Sequence, residues 1–154
     1  MTAKRNKNNV AVMFSDVDKF KPVNDTYGHK VGDNLLQALS LRISSIVRET
    51  DTVSRFGEDE FVIALSDLKQ QQDVTTIAEK LVTALSKPYN IGTHQIQIGA
   101  SLGISQLHNS VKAESLIEEA DDAMYVAKRK GGNAYYFYNI STSNVISMKN
   151  IVRA

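Results

Sequence analysis

Two clusters of acidic residues are the part of this sequence best suited to chemistry. Asp16 and Asp18 end an apolar run, and Asp59 and Glu60 lie at the tip of a glycine-containing turn between two strand-like runs. Carboxylates clustered near backbone carbonyls suit a hard cation such as Mg²⁺, which prefers oxygen ligands. A cation held there bridges a triphosphate and offsets the charge that develops in phosphoryl transfer. An acidic turn taken alone is more often a solvated turn, so this hypothesis requires the two clusters to meet.

The elements around the clusters predict how they meet. The apolar run Val10–Phe14 predicts a buried first strand. Ser54–Leu65 predicts a β-hairpin whose second arm, Phe61–Leu65, is apolar on both faces and suits a central strand. If the first strand lies beside the hairpin, its end and the hairpin tip share one edge of the sheet. Lys21 and Lys128 could then supply positive charge for phosphate oxygens, although each lysine alone is more often a solvated surface residue.

The rest of the chain alternates between helical and strand patterns. Phe20–Gly32 is polar and turn-rich and predicts a loop, after which Asp33 is a candidate N-cap of a first helix. Asp73 is a candidate N-cap of a second helix that ends before Pro88, and a third helical stripe precedes Gly131. The remaining predicted strands are Tyr89–Ile91, His94–Ile98, Ala100–Ser105 and Ala134–Tyr138. This order predicts an α+β fold with a ferredoxin-like βαββαβ antiparallel sheet and helices packed on one face.

Composition narrows the class of protein. The chain has 154 residues, 42% of them hydrophobic, which indicates one domain with a substantial core. Its formal net charge of +1 gives no electrostatic argument for a nucleic-acid or membrane partner, and no apolar run approaches the length of a membrane span. Cysteine is absent, which excludes disulfides and thiolate metal sites. We expect a polar lead-in at residues 1–9, a domain at 10–138, a tail or linker start at 139–154, and a cytoplasmic location.

Three ordered, well separated motifs span most of the chain. Residues 14–33 read Phe-Ser-Asp-Val-Asp-Lys-Phe-Lys-Pro-Val-Asn-Asp-Thr-Tyr-Gly-His-Lys-Val-Gly-Asp, and residues 55–61 read Arg-Phe-Gly-Glu-Asp-Glu-Phe. Residues 120–128 read Ala-Asp-Asp-Ala-Met-Tyr-Val-Ala-Lys, followed by Gly131 and Asn133. Together they closely resemble GGDEF domains, the diguanylate cyclases, with a variant Gly-Glu-Asp-Glu-Phe signature. Three motifs in order are far more specific than one short pattern.

The resemblance implies a fold, a reaction and partners. The fold would be related to nucleotidyl-cyclase and polymerase palms. The reaction would condense two GTP into cyclic di-GMP with release of pyrophosphate, in bacterial second-messenger signalling. Two domains would face each other as a transient homodimer, each holding one GTP on Mg²⁺ or Mn²⁺. Fused sensory or EAL phosphodiesterase domains are the expected partners in a full-length protein.

The same resemblance assigns roles at the acidic clusters. Asp16, the carbonyl of Val17 and Asp59 would hold the metal. Asp59 and Glu60 would be the catalytic carboxylates, with Glu60 assisting at the metal or at the attacking 3′-hydroxyl.

Further residues would bind substrate. Gly57 would let the backbone approach the phosphates, and Lys21 and Lys128 would contact them. Asn24 and Asp33 would read guanine. On the residues alone, a turn asparagine and an N-cap aspartate remain equally good interpretations of this last pair.

A second ligand site is also implied. Arg48 and Asp51 form an Arg-x-x-Asp pattern five residues before the signature, where many GGDEF domains bind their product as an inhibitor. The alternative is an arginine at a helix end with a capping or ion-paired aspartate. Lys80 stands where a second basic contact to the product would come from.

Two departures from the family pattern bear on activity. Glu58 replaces the second glycine of the signature, and a positive φ there would cost about 1–2 kcal/mol. Gly132 stands where most members carry an arginine that contacts phosphate. Two hypotheses follow: an active diguanylate cyclase, or a domain that binds GTP or cyclic di-GMP and regulates a fused partner.

Overall fold

The computed structural model describes residues 10–107 and 113–139. The predicted lead-in at 1–9, and the predicted tail apart from Asn139, lie outside the described residues. The strands are β1 Ala11–Asp18, β2 Thr52–Arg55, β3 Glu60–Leu65, β4 Tyr89–Ile91, β5 His94–Ile96, β6 Gly99–Gln106 and β7 Ala134–Phe137. The helices are α1 Phe20–Tyr27, α2 His29–Ile46, α3 Gln71–Leu85 and α4 Ala113–Arg129.

A five-stranded sheet in the order β2-β3-β1-β6-β7 forms the centre of the fold. β1 is antiparallel to both of its neighbours, β3 and β6, and β2 is antiparallel to β3, so the βαββαβ core is confirmed. The sheet as a whole is mixed, because β7 pairs with β6 in parallel. α4 connects these two strands, as a parallel pair requires. β4 and β5 form a separate hairpin.

Helices cover both faces of the sheet, not the one face that the sequence analysis predicted. Along β1, Met13 and Val17 belong to the main core cluster, which also contains the buried hydrophobic residues of α2 and α3. Val12 and Phe14 point to the other face and belong to a second cluster with Met124 of α4. Strand side chains alternate between faces, so a central strand with apolar residues on both faces needs cover on both sides.

α1 occupies a segment that was predicted to be a loop. Pro22 lies in its first turn, where a backbone N–H has no intrahelical partner and proline is tolerated. Phe20 and Val23, one helical turn apart, are both buried. Gly28, at φ +93°, separates α1 from α2. Asp33 therefore lies inside α2 and is not its N-cap.

The start of α3 also differs from the prediction. Gln70 is the N-cap residue, and Asp73 is the third helical residue of a capping box. The Asp73 carboxylate accepts hydrogen bonds from the backbone N–H groups of Lys69 (2.9 Å) and Gln70 (3.1 Å). The helix ends at Leu85, before Pro88, as predicted. Within the two described ranges, no helix combines the length and apolar character needed to cross a membrane.

Gly103 allows α4 to pack directly on β6. A Cβ at this position would lie 1.9 Å from the carbonyl oxygen of Ala120 and 2.1 Å from the backbone nitrogen of Met124. We expect Gly103→Ala to lower the free energy of unfolding by about 3 kcal/mol, because helix backbone cannot yield as a side chain can. Urea denaturation measures this change.

Gly92→Ala is the matched control. Gly92 has φ +61° with open space around its Cα, so this variant adds only the left-handed backbone penalty, about 1 kcal/mol. Equal losses in the two variants would contradict the close packing of α4 on β6.

Candidate active site

The two acidic clusters meet at one edge of the sheet. β1 continues to Asp18, beyond the predicted end at Phe14, so Asp16 lies within the strand. Asp16 pairs with Glu60 in the register of β1 and β3. The backbone N–H of Val17 donates to the carbonyl of Asp59 at 3.1 Å. The structure therefore brings together the strand end and the hairpin tip, as the sequence analysis required.

Lys128 of α4 places an ammonium group among these oxygens. Its Nζ lies 3.4 Å from Asp16 Oδ1 and 3.4 Å from the carbonyl oxygen of Val17. Its distance to Asp18 Oδ1 is 3.2 Å. The Lys128 side chain is 30% exposed, so the group is reachable from solvent. Of the two lysines predicted for phosphate, this one lies at the acidic cluster.

Asp18 acts as a support for Lys128. Ser101 Oγ donates to Asp18 Oδ1 at 2.7 Å, and the backbone N–H of Asn133 donates to Oδ2 at 2.7 Å. These bonds hold the carboxylate that faces the Lys128 ammonium group. Sequence reasoning missed Ser101, because a serine in an apolar strand carries no signal of a partner elsewhere in the chain. Gly132 has φ +78°, and a Cβ there would lie 2.9 Å from Asp18 Oδ2.

Asp16 is the carboxylate of the site whose pKa is shifted most clearly. Burial raises the pKa of Asp16 to about 7, and the negative charges of Asp59 and Glu60 act in the same direction. The Lys128 ammonium group opposes this shift but does not cancel it. When Asp16 is ionised, the four carboxylates of Asp16, Asp18, Asp59 and Glu60 carry more negative charge than the Lys128 ammonium group neutralises, which favours a further cation.

The donor set fits a hard divalent cation. Two carboxylates, Asp16 and Asp59, and the Val17 carbonyl are all oxygen ligands, the type that Mg²⁺ and Mn²⁺ prefer. Within residues 10–107 and 113–139, no three His, Asp or Glu side chains are arranged as a metal site by themselves. A cation here would thus need the backbone carbonyl and oxygens from water or phosphate. Lys128 already lies against two of these ligands.

Arg55 organises the hairpin tip. Its Nε donates to the carbonyls of Gly57 and Glu58, each at 3.1 Å. Glu58 is exposed and is not among the described residues with positive φ, so the expected backbone cost of Glu58 is absent. A Cβ on Gly57 would lie 2.5 Å from Glu60 Oε1. Gly57 thus leaves room for the Glu60 carboxylate.

The remaining predicted substrate residues lie on α1 and α2. Lys21 is 86% exposed on its side chain and pairs with Asp25 at 3.5 Å, so the structure does not bring it to the carboxylates. Asn24 is half-buried, and its Oδ1 is buried with no hydrogen-bond partner in the described part of the chain. Asp33 is exposed near the start of α2.

Arg48 and Asp51 form a close ion pair away from the acidic cluster. Arg48 Nη2 and Nε donate to the two Asp51 carboxylate oxygens at 2.8 and 3.0 Å. The Asp51 side chain is fully buried. Burial alone would raise its pKa, but hydrogen bonds from Arg48 and the backbone N–H of Ser66 prevail and lower it. Arg48 and Lys80 line one cavity of about 380 Å³.

Comparison with known proteins identifies relatives along nearly the whole chain. It is 44% identical over 138 residues to the bifunctional diguanylate cyclase/cyclic di-GMP phosphodiesterase MucR of Pseudomonas aeruginosa, covering 89% of this chain and 20% of MucR. It is 35% identical over 141 residues to the diguanylate cyclase DosC of Escherichia coli K12, covering 90% of this chain and 30% of DosC. The chain thus spans less than a third of the length of these two relatives.

A solved structure shows the same fold. An EAL/GGDEF domain protein from M. capsulatus superposes with a TM-score of 0.81 at 42% identity, and the match covers 88% of each chain. Residues 1–134 match the family described as diguanylate cyclase, GGDEF domain. The order of strands, the meeting of the acidic clusters and these matches lead to one conclusion: the chain belongs to the GGDEF domain family.

Proposed function

We propose that this domain is a diguanylate cyclase that condenses two GTP into cyclic di-GMP in the cytoplasm, as a transient homodimer. The observation that carries the proposal is the convergence of Asp16, the Val17 carbonyl and Asp59 beside the Lys128 ammonium group. An excess of negative oxygen ligands next to a solvent-accessible cation suits a metal-bound triphosphate. The diguanylate cyclases among its relatives support the same reaction.

The proposed roles follow from this arrangement. Asp16, the Val17 carbonyl and Asp59 hold Mg²⁺ or Mn²⁺, which when bound neutralises charge on the phosphates. Lys128 contacts phosphate oxygens, and Glu60 orients the attacking 3′-hydroxyl and accepts its proton. In each of two steps a bond forms between this oxygen and the α-phosphorus of the other GTP, and the α–β bridge breaks to release pyrophosphate.

Substrate selection falls to α1 and α2. Asn24 and Asp33 offer an amide and a carboxylate to the edge of guanine. Lys21 would leave its exposed pair with Asp25 to contact the phosphates. Gly57 keeps the hairpin backbone open to the triphosphate. The proposal therefore divides the site into a metal–phosphate half on β1, β3 and α4 and a base half on α1 and α2, with Lys21 of α1 extending from the base half to the phosphates.

A regulatory role is the second candidate. Gly132 supplies no cation beside Asp18, whereas most domains of this family carry an arginine there. The domain would then bind GTP or cyclic di-GMP and regulate a fused EAL or sensory domain without turnover. Glu58 no longer favours this candidate, since it is exposed and free of backbone strain.

A turnover assay tests the proposed activity. We expect the unmodified chain, at high protein concentration with GTP and Mg²⁺ or Mn²⁺, to form cyclic di-GMP that chromatography detects. Asp59→Asn should lower the rate by at least about 100-fold, because it removes one metal ligand charge. Glu58→Gly should change the rate by less than about threefold, as its backbone is unstrained.

The controls separate the two candidates. Product from Glu58→Gly alone would mean that Glu58 blocks the chemistry, and would support the regulatory role. No product from either chain, together with measurable GTP binding, would also favour regulation. No binding of either GTP or cyclic di-GMP would refute both.

Because Asp16 is a proposed metal ligand with a raised pKa, we expect the stabilisation of the domain by metal to depend on pH. The pKa of Asp16 is about 7 in the folded chain and about 3.9 in the unfolded chain, so the folded chain binds this proton more tightly. Without metal, the contribution of Asp16 to stability is therefore fully present below about pH 3.9 and is lost as the pH rises through about 7. A cation requires the ionised form, so Mg²⁺ or Mn²⁺ should raise Tm more at pH 8 than at pH 6. Asp16→Asn should abolish the response, as measured by thermal denaturation. An equal metal-induced shift in Asp16→Asn would contradict this ligand assignment.

We also propose that the cavity lined by Arg48 and Lys80 binds cyclic di-GMP as an inhibitory product, with Arg48 held by Asp51. Substitutions of the two basic residues should then have different effects. Lys80→Ala should weaken cyclic di-GMP binding about tenfold with little change in Tm, because Lys80 is exposed. Arg48→Ala should also lower the free energy of unfolding by about 1–3 kcal/mol, since it leaves the buried Asp51 carboxylate without its partner. Calorimetric titration and urea denaturation measure the two quantities. Unchanged binding in both variants would remove the product site from the proposal.

A further inference from the structure

The turn between α1 and α2 places Asn24 against Gly32. The backbone N–H of Gly28 donates to the carbonyl of Asn24 at 2.8 Å, and that of Gly32 donates to the carbonyl of Gly28 at 3.1 Å. These bonds connect the last turn of α1 to the first turn of α2. They bring the Asn24 side chain onto the Cα of Gly32, where the two helices meet.

The contact leaves no space for a Cβ at position 32 unless the Asn24 side chain moves. A Cβ on Gly32 would lie 1.8 Å from Asn24 Oδ1 and 3.0 Å from Asn24 Cγ. It would also lie 3.2 Å from Phe20 Cζ. Both of the closest atoms belong to the end of the Asn24 side chain. An added methyl group would therefore displace the Asn24 amide and leave the backbone in place.

The backbone conformation does not explain this glycine. Gly32 lies inside α2 and is not among the glycines with positive φ. Glycine is unfavourable in a helix interior relative to alanine. The close approach of Asn24 is thus what any residue other than glycine would disturb at this position.

Packing also provides the restraint on the Asn24 amide oxygen. Asn24 Oδ1 is buried and has no hydrogen-bond partner among the described residues. A buried amide is usually oriented by hydrogen bonds, but here the contact surface of Gly32 and Phe20 sets the position of Oδ1. The amide nitrogen belongs to the same planar group, so fixing Oδ1 also restricts where the nitrogen can lie.

We propose that Gly32 is a positioning residue for guanine recognition, because its missing side chain lets the Asn24 amide lie where it meets the base. The proposal rests on the proposed function, in which Asn24 reads guanine. It extends that function to a residue that need not touch substrate. Substitution of Gly32 then changes selection among nucleotides and leaves phosphate binding intact.

A double-mutant cycle on nucleotide binding tests this proposal. The probes are GTP and ATP analogues with a methylene group in place of the α–β bridging oxygen, which prevents pyrophosphate release, titrated calorimetrically with Mg²⁺. Gly32→Ala should lose about tenfold in affinity for the guanosine analogue, the scale of one hydrogen bond. Its affinity for the adenosine analogue should stay unchanged. Asn24→Ala should show the same loss, and the double variant should lose nothing further.

Asn34→Ala is the matched control. Asn34 is exposed on the same turn of α2, so this variant gains helix propensity without entering the Asn24 contact. Its affinity for both analogues should equal that of the unmodified chain. In the Asn24→Ala background only the Phe20 ring remains close to the added Cβ, so Gly32→Ala should lower Tm less than it does in the unmodified chain. This second measurement keeps the test valid even if Gly32→Ala alone is poorly stable.

The outcomes separate this inference from the proposed function. Normal guanosine binding in Gly32→Ala with weakened binding in Asn24→Ala would overturn the role of Gly32 alone. Additive losses in the double variant would also overturn it. Normal binding in Asn24→Ala would overturn the assignment of Asn24 to guanine, and the role of Gly32 with it. Equal loss of both analogues in Gly32→Ala would show a general structural effect and likewise refute the proposal.

Discussion

The ammonium group of Lys128 lies within 3.4 Å of an oxygen of Asp16, of Val17 and of Asp18. Carboxylates this close together repel one another, and the half-buried setting weakens the screening by water. The lysine holds the cluster together, because it is the positive charge that α4 delivers to the end of β1. Asp18 in turn holds the lysine, through its bonds to Ser101 and Asn133. The arrangement needs β1, β6 and α4 in one relative position.

That position depends on how closely α4 approaches the sheet. Gly103 lets the backbone of α4 rest on β6 without an intervening side chain. Val12, Phe14 and Met124 fill the same interface with apolar contacts. The geometry at Lys128 is therefore set by packing more than one helical turn away from it. α4 carries both Lys128 and the residues that pack against Gly103, so a change in that packing would also move the Lys128 ammonium group.

Local patterns in the sequence predicted much of the fold and the meeting of the acidic clusters. Apolar runs bounded by turn residues indicate strands, and β1 and the hairpin arms are such runs. α1 was missed because its signals conflict: Pro22 and polar residues favour a loop, while buried Phe20 and Val23 favour a helix. The cover on both faces was implied by the apolar pattern of the central strands but was not inferred.

Other features have no local pattern to detect. Asp18 meets Ser101 and Asn133 across separations of 83 and 115 residues. The exposure of Lys21 depends on where α1 lies in the fold. The unstrained backbone at Glu58 depends on the conformation of the hairpin. A family signature with two glycines suggests a positive φ at this position, which would have strained a glutamate.

The placement of Asp16 on β1 has a consequence for how the site tolerates error. Asp16 and Asp18 share a strand face with Val12 and Phe14, whose side chains pack toward α4. A slip of one residue in the pairing of β1 with β3 would turn all four side chains to the opposite face. β1 is apolar on both faces, so Ala11 and Met13 would then face α4 in place of Val12 and Phe14. Asp16 and Asp18, however, would turn away from Lys128 toward the core that α2 and α3 cover, where a charge without a partner is costly. The same two carboxylates that build the site therefore also fix the register of β1, because a misaligned strand would separate them from Lys128, Ser101 and Asn133.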